Sequence, residues 1–535
     1  MRRWLNLLIL LAIFSHHAQG QETDPAIDVQ FYHYSIELND QNDSIVGDAR
    51  IEFLLQQPAE RIGLDLQGET ADGKGMRVVS VREKGAELTY SQSGAKLWVS
   101  LPAKTKVGAA CEVEVLYRGI PDDGLIISTS LFGQRTFFAD NWPDRAHHWI
   151  PCKDYPSDKA AVEFSVIAPD HYQIISNGLQ VEESNLPDHR KLTRYLETVP
   201  LPTKVMVIGA ADFAVGLAGE VGCIPVTSWV YPQNRDAGFY DYAPATQILS
   251  FYIHQIGPYA YRKLANVQSK TRFGGMENAS AIFYNEHSVL GDRRAEALLA
   301  HEIAHQWFGN SATETSFRHL WLSEGFATFM THIYLASVYG IDTLIKGLRE
   351  DRARVIEFSR QRKTPVVDTT AGKNFMDLLN ANSYQKGGWI LHMLQHQLGD
   401  SLFWKGIRKY YQTYAGHNAS TNDFRDIMEA ASGQDLHVFF RQWLYRAGQP
   451  NLQIQWHYQS SRKELMLQVV QRQDQAFDFP LTMKITGPDG RSRISVFPIS
   501  DKNNSFSIPM SQRPILVLAD PGVDLLFEGQ VSETP

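Results

Sequence analysis

The chain is poor in cysteine, with only Cys111, Cys152 and Cys223 among its 535 residues. An odd number of widely spaced cysteines argues against a disulfide framework, although one pair could form in an oxidising compartment. Their spacing also matches no cysteine-based zinc site. A block of Lys and Arg is lacking too, since 51 basic and 59 acidic residues give a formal charge of −8. Nucleic acid is therefore not an expected partner.

Long apolar runs are missing except at the amino terminus. Arg2 and Arg3 precede an apolar run over residues 4–14, and the small-residue pattern Ala18-Gln19-Gly20 follows. This order predicts a secretory signal peptide over residues 1–20. An uncleaved anchor is the alternative, but the run is shorter than the ~20 residues of a spanning helix. We expect the mature protein outside the cytoplasm, periplasmic or secreted, with no stable membrane span.

Internal repeats and low-complexity segments are also lacking, so the chain is expected to divide into ordinary globular domains. Residues 21–216 contain short alternating runs, such as residues 30–38, which predict a β domain. Residues 217–447 contain longer segments with helical patterns. Alternation returns in residues 448–535, which predicts a small β-sandwich. The fold class expected is multidomain α+β.

The main chemical pattern is the run from His301 to His305, His-Glu-Ile-Ala-His, inside a helix signal for which Asp292 is the expected cap. Residues four apart share one helical face, so both imidazoles can reach one ion with Glu302 beside them. Histidine nitrogens suit zinc, and a catalytic zinc site needs a third protein ligand and one open position. Glu324, expected to open the next helix, supplies that ligand if the two helices are antiparallel and joined by a short connection.

The alternative is that His301 and His305 are ordinary, partly buried histidines. His392 and His396 offer a comparison, because they are also four apart on a predicted helix. They have no Glu between them and no acidic ligand in a matching setting downstream, so we interpret them as surface or packing residues.

Several segments together resemble the gluzincin aminopeptidases of the aminopeptidase N type. The eighteen residues between His305 and Glu324 match that family's spacing, and the resemblance extends over about residues 25–450. It implies a concave, β-rich N-terminal domain, a thermolysin-like, mainly helical catalytic domain and a small C-terminal β-sandwich. Because the chain ends at Pro535, the large helical domain of many relatives is expected to be absent. The segments that carry the resemblance are residues 273–278, 301–310, 321–327 and 384–387.

The resemblance implies a substrate-binding role for Phe273-Gly274-Gly275-Met276-Glu277-Asn278. Gly274 and Gly275 would let the substrate backbone pair along an exposed strand edge, because glycine allows close approach. Glu277 would bind the free α-amine of the substrate, with Met276 and Asn278 completing the segment. Without the resemblance, a simple turn is the favoured interpretation of the segment.

The chemical step is assigned in the same way. One zinc per chain is expected on His301, His305 and Glu324, with Glu302 as the general base that passes a proton from water to the leaving amine. Tyr384, in Tyr-Gln-Lys-Gly, resembles the family's tyrosine motif, and its hydroxyl would donate to the oxyanion of the tetrahedral intermediate.

One departure from the family concerns amine recognition. Relatives often place Gln or Glu in the β domain, a few residues after a Thr, to help hold the amine. The corresponding stretch here is Phe138-Ala139-Asp140-Asn141-Trp142-Pro143, in which Asp140 is the candidate second carboxylate.

These expectations combine into an exported, zinc-dependent aminopeptidase that hydrolyses peptides with a free N-terminus by a metal-activated water. One alternative is a gluzincin of other specificity, either an endopeptidase or an epoxide hydrolase. The other is a non-catalytic, peptide-binding relative. The Gly-Gly-Met-Glu-Asn segment argues against an endopeptidase, and retention of the ligands, Glu302 and Tyr384 argues against loss of catalysis. The preferred N-terminal residue and the oligomeric state stay open.

Overall fold

The computed structural model describes residues 24–102, 105–370, 372 and 374–534. The predicted signal peptide, residues 1–20, lies outside this part of the chain. The described residues form a β-rich N-terminal region, a mainly helical middle and a C-terminal group of strands. The expected multidomain α+β class is therefore confirmed.

The N-terminal region is built around an eight-stranded sheet. The strands of the whole region are β1 (Ile27–Glu37), β2 (Ile45–Leu55), β3 (Arg61–Asp65), β4 (Gly75–Glu83), β5 (Ala86–Glu87), β6 (Tyr90–Ser93), β7 (Lys96–Ser100), β8 (Ala110–Ile120), β9 (Leu125–Thr129), β10 (Arg135–Ala139), β11 (Lys159–Pro169), β12 (Gln173–Ser176), β13 (Leu179–Leu186), β14 (Arg190–Pro202) and β15 (Ile208–Ala211). The large sheet has the order β13-β14-β11-β1-β2-β8-β4-β5, beside smaller sheets β12-β15-β10-β9 and β3-β7-β6. In β1 the alternate residues Tyr32, Tyr34 and Ile36 are buried, which is the period-two pattern of the sequence.

The middle region places a five-stranded sheet beside a group of helices. Its elements are β16 (Ala214–Val221), β17 (Ile224–Val230), α1 (Arg235–Tyr242), α2 (Ala245–Gln255), β18 (Leu264–Ser269), β19 (Gly275–Met276), β20 (Ala281–Asn285), α3 (Glu296–Ala304), β21 (Thr313–Glu314), α4 (Trp321–Tyr339), α5 (Ile341–Gln361), α6 (Gly387–Leu398), α7 (Asp400–Tyr414), β22 (Asn418–Ala419), α8 (Thr421–Ser432) and α9 (His437–Leu444). The sheet order is β16-β17-β18-β20-β19. Strand β16 spans the predicted boundary at residue 216. Strand β19 lies at the sheet edge, so one side of its backbone is open.

The C-terminal strands form a four-stranded and a three-stranded sheet. They are β23 (Asn451–Gln459), β24 (Glu464–Gln471), β25 (Phe479–Thr486), β26 (Ser492–Ile499), β27 (Asn503–Pro509), β28 (Leu516–Ala519) and β29 (Glu528–Glu533), in the orders β27-β24-β23-β29 and β26-β25-β28. His392 bonds the Val523 carbonyl at 3.0 Å, and His396 lies 3.6 Å from Asp524. These two histidines therefore contact the segment between β28 and β29, as packing residues would.

Helix α3 begins later than the sequence suggests. Its N-cap is Ala295, so the expectation that Asp292 caps it is wrong. Asp241 instead accepts hydrogen bonds from the backbone N–H groups of Leu290, Gly291 and Arg293 at 2.7 to 2.8 Å. A carboxylate from α1, about fifty residues away in sequence, thus holds the segment that leads into α3.

Two further features bear on the sequence expectations. No helix in the described part of the chain is long and apolar enough to cross a membrane. Cys111, Cys152 and Cys223 are all free thiols, the first two buried and the third exposed. The fold therefore stands without a disulfide.

Candidate metal centre and substrate cleft

Helices α3 and α4 bring three predicted ligands together. His301 Nε2 and His305 Nε2 lie 3.2 Å apart, and each lies 3.3 Å from Glu324 Oε2. Zinc bonds of about 2.0 to 2.1 Å place tetrahedral ligand atoms about 3.3 to 3.4 Å apart. The three atoms therefore form one face of a tetrahedron of the size that zinc requires, and the donor set fits that ion.

Neighbouring groups fix the orientation of His305. Its Nδ1 lies 3.1 Å from the Phe308 carbonyl and 3.0 Å from Ser323 Oγ. In the neutral imidazole that a metal requires, donation from Nδ1–H to the carbonyl leaves Nε2 with its lone pair directed at the ligand cluster. Burial raises the pKa of the Glu324 carboxyl, but His305 and His301 more than offset this, so the pKa lies well below its usual value. Glu324 is therefore ionised, as a metal ligand must be.

Glu302 follows the first ligand on α3 and turns toward the cleft. Its side chain is 5% exposed, and its carboxylate lies within 4.8 Å of ligand atoms of Glu277 and His305. Burial raises the pKa of the Glu302 carboxyl well above its usual value, with Glu277 and Glu324 adding to the effect and His305 opposing it. A carboxyl whose pKa is raised in this way is suited to take up and release a proton near neutral pH.

Tyr384 lies in a π-helical turn, Asn382–Lys386, directly before α6. Its ring stacks on the His301 imidazole, with centroids 5.9 Å apart and planes 13° from parallel. Helices α4 and α6 come close where Gly325 meets Gly387, since a Cβ added at Gly325 would lie 2.8 Å from the Gly387 Cα. That close approach, which only glycine permits, brings the tyrosine to the ligand cluster.

The predicted substrate segment runs along the sheet edge at β19. The backbone carbonyl of Glu277 accepts hydrogen bonds from Gln306 Nε2 at 2.9 Å and from Asn310 Nδ2 at 2.6 Å. Both donors follow α3, so the segment is tied to the helix that carries His301 and His305. No role for either donor is apparent from the sequence, because each contact joins residues about thirty positions apart.

The Glu277 side chain is 5% exposed, and its Oε1 has no hydrogen-bond partner in the described structure. Burial raises the pKa of this carboxyl, opposed by His305 and Lys204. A buried acceptor without a partner is unfavourable, so the site favours a cationic or hydrogen-bonding ligand at this atom.

A single cleft of about 240 Å³ collects most of the predicted site residues. Asn278 does not line it, because the chain turns after β19 and buries this residue completely, away from the cleft wall. The cleft is lined by Trp142, Phe273, Gly274, Gly275, Met276, Glu277, Leu298, His301, Glu302, His305, Glu324, Leu379 and Tyr384.

Asp140 is not part of this cleft. It is fully buried, one oxygen pairing with Arg145 Nη2 at 2.9 Å and the other accepting from the Arg272 backbone at 3.1 Å. The expectation that Asp140 assists Glu277 therefore does not fit the structure. The same segment contributes Trp142 to the cleft instead.

Comparison with known proteins identifies two family models along the chain. The peptidase family M1 domain matches residues 240–443, and the peptidase M1 N-terminal domain matches residues 29–205. The first of these covers every residue of the cleft except Trp142, which falls in the second.

Individual relatives are distant in sequence. A probable aminopeptidase 2 of Sulfurisphaera tokodaii is 27% identical over 74% of this chain and 52% of its own length. A glutamyl aminopeptidase of Rattus norvegicus is 28% identical over 61% of this chain and 36% of its own. The chain thus spans about a third to a half of the length of these relatives. The crystal structure of Legionella pneumophila aminopeptidase A in complex with aspartic acid matches with a TM-score of 0.81 and 17% identity, over 95% of this chain and 60% of that one. That likeness concerns the fold.

Proposed function

The chain belongs to peptidase family M1, and from that premise we propose that it is an exported, zinc-dependent aminopeptidase acting on peptides with a free N-terminus. His301, His305 and Glu324 are the residues that would hold the zinc, and their spacing supports this. When bound, zinc polarises the scissile carbonyl and acidifies water. The names of the relatives support the reaction class.

Two side chains of the protein carry the proton and charge changes. Glu302 takes a proton from the attacking water and delivers it to the leaving amine. It can do so because its carboxylate lies close to His305 but is not one of the three proposed ligands, His301, His305 and Glu324. Tyr384 donates a hydrogen bond to the developing oxyanion. Burial raises the pKa of its hydroxyl well above the usual value, so the group keeps the proton that it donates.

The observation that carries the proposal is the buried Glu277 carboxylate with its unpartnered Oε1. A substrate ammonium placed there forms a charge-assisted hydrogen bond and neutralises the buried charge. A peptide cut in its interior offers no such cation at this position. Glu277 therefore favours cleavage at the amino terminus over cleavage within a chain.

The test compares a free and an N-acetylated form of one peptide amide on the wild type and on Glu277→Ala. Leaving one charge unpaired in such a site costs about 2 to 5 kcal/mol, so acetylation is expected to lower kcat/KM of the wild type at least about 30-fold. Glu277→Ala should lose activity mainly on the free-amine peptide, so the ratio of kcat/KM between the free and the acetylated peptide should become smaller. Glu277→Gln is the matched control, because it keeps the volume and removes only the charge. Comparable wild-type rates on both peptides would refute the aminopeptidase and favour the endopeptidase.

Export is proposed from the amino-terminal sequence alone, with Arg2 and Arg3 before the apolar run of residues 4–14. Protein recovered from outside the cytoplasm of its host should begin at Gln21. A mature chain that still begins at Met1 would contradict cleavage.

A further inference from the structure

We propose that the cleft selects peptides with an apolar or aromatic first side chain and rejects acidic ones, with Trp142, Phe273 and Leu379 as the selecting surface. This inference rests on the proposed aminopeptidase function and names its substrate class. Some relatives carry names or ligands that point to acidic residues, so the choice is open within the family.

The position of the first side chain follows from the groups that hold the rest of the residue. Glu277 would hold the ammonium, while the carbonyl is directed toward the His301, His305 and Glu324 cluster. The Cα lies between these two points, and its side chain must leave toward the remaining wall. That wall is apolar, with Trp142, Phe273, Met276, Leu298 and Leu379 as its members.

The wall offers no positive charge to a carboxylate. Among the described residues that line the cleft, none is Lys or Arg, and three are Glu. Three cations on bordering segments are already paired with carboxylates: Arg145 with Asp140, Arg272 with Asp123 and Lys204 with Glu314. An acidic first side chain would therefore lose its hydration without gaining a partner, and would face the negative charge of Glu277.

A basic first side chain also lacks a favourable partner in this wall. The Phe273 ring already has the Arg145 guanidinium 5.8 Å from its centroid. A cation brought to this ring would be repelled by Arg145. Glu277 is occupied by the α-ammonium, so it cannot neutralise a second charge.

Packing and hydrogen bonds hold the aromatic wall in place before a substrate binds. The Trp142 ring meets Phe273 and Phe317 edge to face, with centroids 6.0 and 5.9 Å apart. The preceding Asn141 donates from its side chain to the carbonyls of Thr203 and Met206 at 3.1 and 2.6 Å. Such a wall buries apolar side chains without reordering, which favours Leu, Met and Phe at the first position.

The direct test is a panel of aminoacyl p-nitroanilides assayed on the wild-type, zinc-loaded protein. Leu, Met and Phe substrates should exceed Glu and Asp substrates in kcat/KM about 10²-fold or more, and should exceed Lys and Arg substrates about 10-fold. Glu or Asp substrates at or above the level of Leu, or Lys or Arg substrates above it, would overturn the inference. If the protein hydrolyses none of these substrates, the aminopeptidase proposal is refuted, and this inference with it.

A variant tests the surface itself. Leu379 is half-buried at the cleft, so a longer charged side chain can be accommodated there. Leu379→Arg is expected to lower the Leu-to-Glu ratio of kcat/KM at least about 10-fold, because it supplies the missing cation. Leu379→Met is the matched control, and its ratio should stay within about twofold of the wild type. An unchanged ratio in Leu379→Arg, with zinc content and melting temperature preserved, would refute the role of this wall. If Leu379→Arg does not fold, Leu379→Lys replaces it with the same expectation.

Discussion

Gly309, in the turn that follows α3, is the position where one added methyl group should disturb the metal centre. Its φ is +117°, a backbone conformation that L side chains rarely adopt. A Cβ built there would lie 2.3 Å from Ser323 Oγ and 3.3 Å from His305 Nδ1. Gly309→Ala therefore combines backbone strain with a steric contact against Ser323, which orients the proposed zinc ligand His305.

The backbone strain should lower the free energy of unfolding, whereas the steric contact should lower the affinity for zinc. Backbone strain at such a φ costs about 1 to 3 kcal/mol of the free energy of unfolding. Non-bonded atoms prefer separations of about 3.5 Å, so Ser323 Oγ must move by about 1 Å. That movement breaks its 3.0 Å contact with His305 Nδ1. Loss of a partner that orients a metal-binding histidine typically costs about 10-fold to 100-fold in metal affinity. The Phe308 carbonyl remains 3.1 Å from Nδ1, so the lower end, about 10-fold, is expected.

The assay is zinc affinity measured by competition with a chromophoric chelator, alongside unfolding of the metal-free protein in urea. Gly340→Ala is the matched control, since Gly340 has φ +91° with no atom within 4 Å of the added Cβ. It should show the strain in unfolding while keeping wild-type zinc affinity. Wild-type zinc affinity in Gly309→Ala, or an equal loss in Gly340→Ala, would refute the reasoning.

Three further substitutions test the proposed roles. Glu302→Gln should keep zinc and lose about 10²-fold to 10⁴-fold in turnover, and loss of zinc in metal analysis would contradict a purely proton-transferring role. Tyr384→Phe should lose about 10²-fold to 10³-fold, mostly in kcat, and steady-state kinetics that show a change only in KM would argue against an oxyanion donor. Asn310→Ala removes a 2.6 Å hydrogen bond to the Glu277 carbonyl, so kcat/KM on free-amine peptides should fall about 10-fold. An equal loss on acetylated peptides would show that Asn310 does not position the amine site.

The metal centre was accessible from the sequence because its geometry is mostly local. Two histidines four residues apart on a helix share a face whatever the rest of the chain does. Glu324 needed one further step, an antiparallel packing of two adjacent helices, and the 3.3 Å contacts to both histidines agree with that step. The helix of Glu324 begins at Trp321, so this residue lies in the first turn and not at the start.

The wall proposed to recognise the amine and the first side chain could not be predicted from the sequence in the same way. In the segment Asp140-Asn141-Trp142, the Asp140 carboxylate pairs with Arg145, whereas the Trp142 ring lines the cleft. Which of them faces the substrate depends on Arg145, Phe273 and the sheet edge, and these lie in separate segments. A pattern of residue types carries no information about such pairings between distant segments. The charge of Asp140 favours it as the amine-binding residue, whereas its pairing with Arg145 is not apparent from the sequence.

The β-rich region does more than close the cleft, because a chain of contacts links it to the amine site. Lys159 Nζ, on β11, donates to the carbonyls of Asn310 and Ser311 at 3.1 and 2.7 Å. The Asn310 side chain in turn donates to the Glu277 carbonyl at 2.6 Å. The position of Glu277, the proposed amine-binding carboxylate, thus depends on both regions, and so does the wall that contains Trp142. A catalytic domain separated from residues 24–213 would keep the three proposed zinc ligands, which all lie on α3 and α4 or at their ends. It would lose the groups proposed here to distinguish an amino terminus from the interior of a peptide.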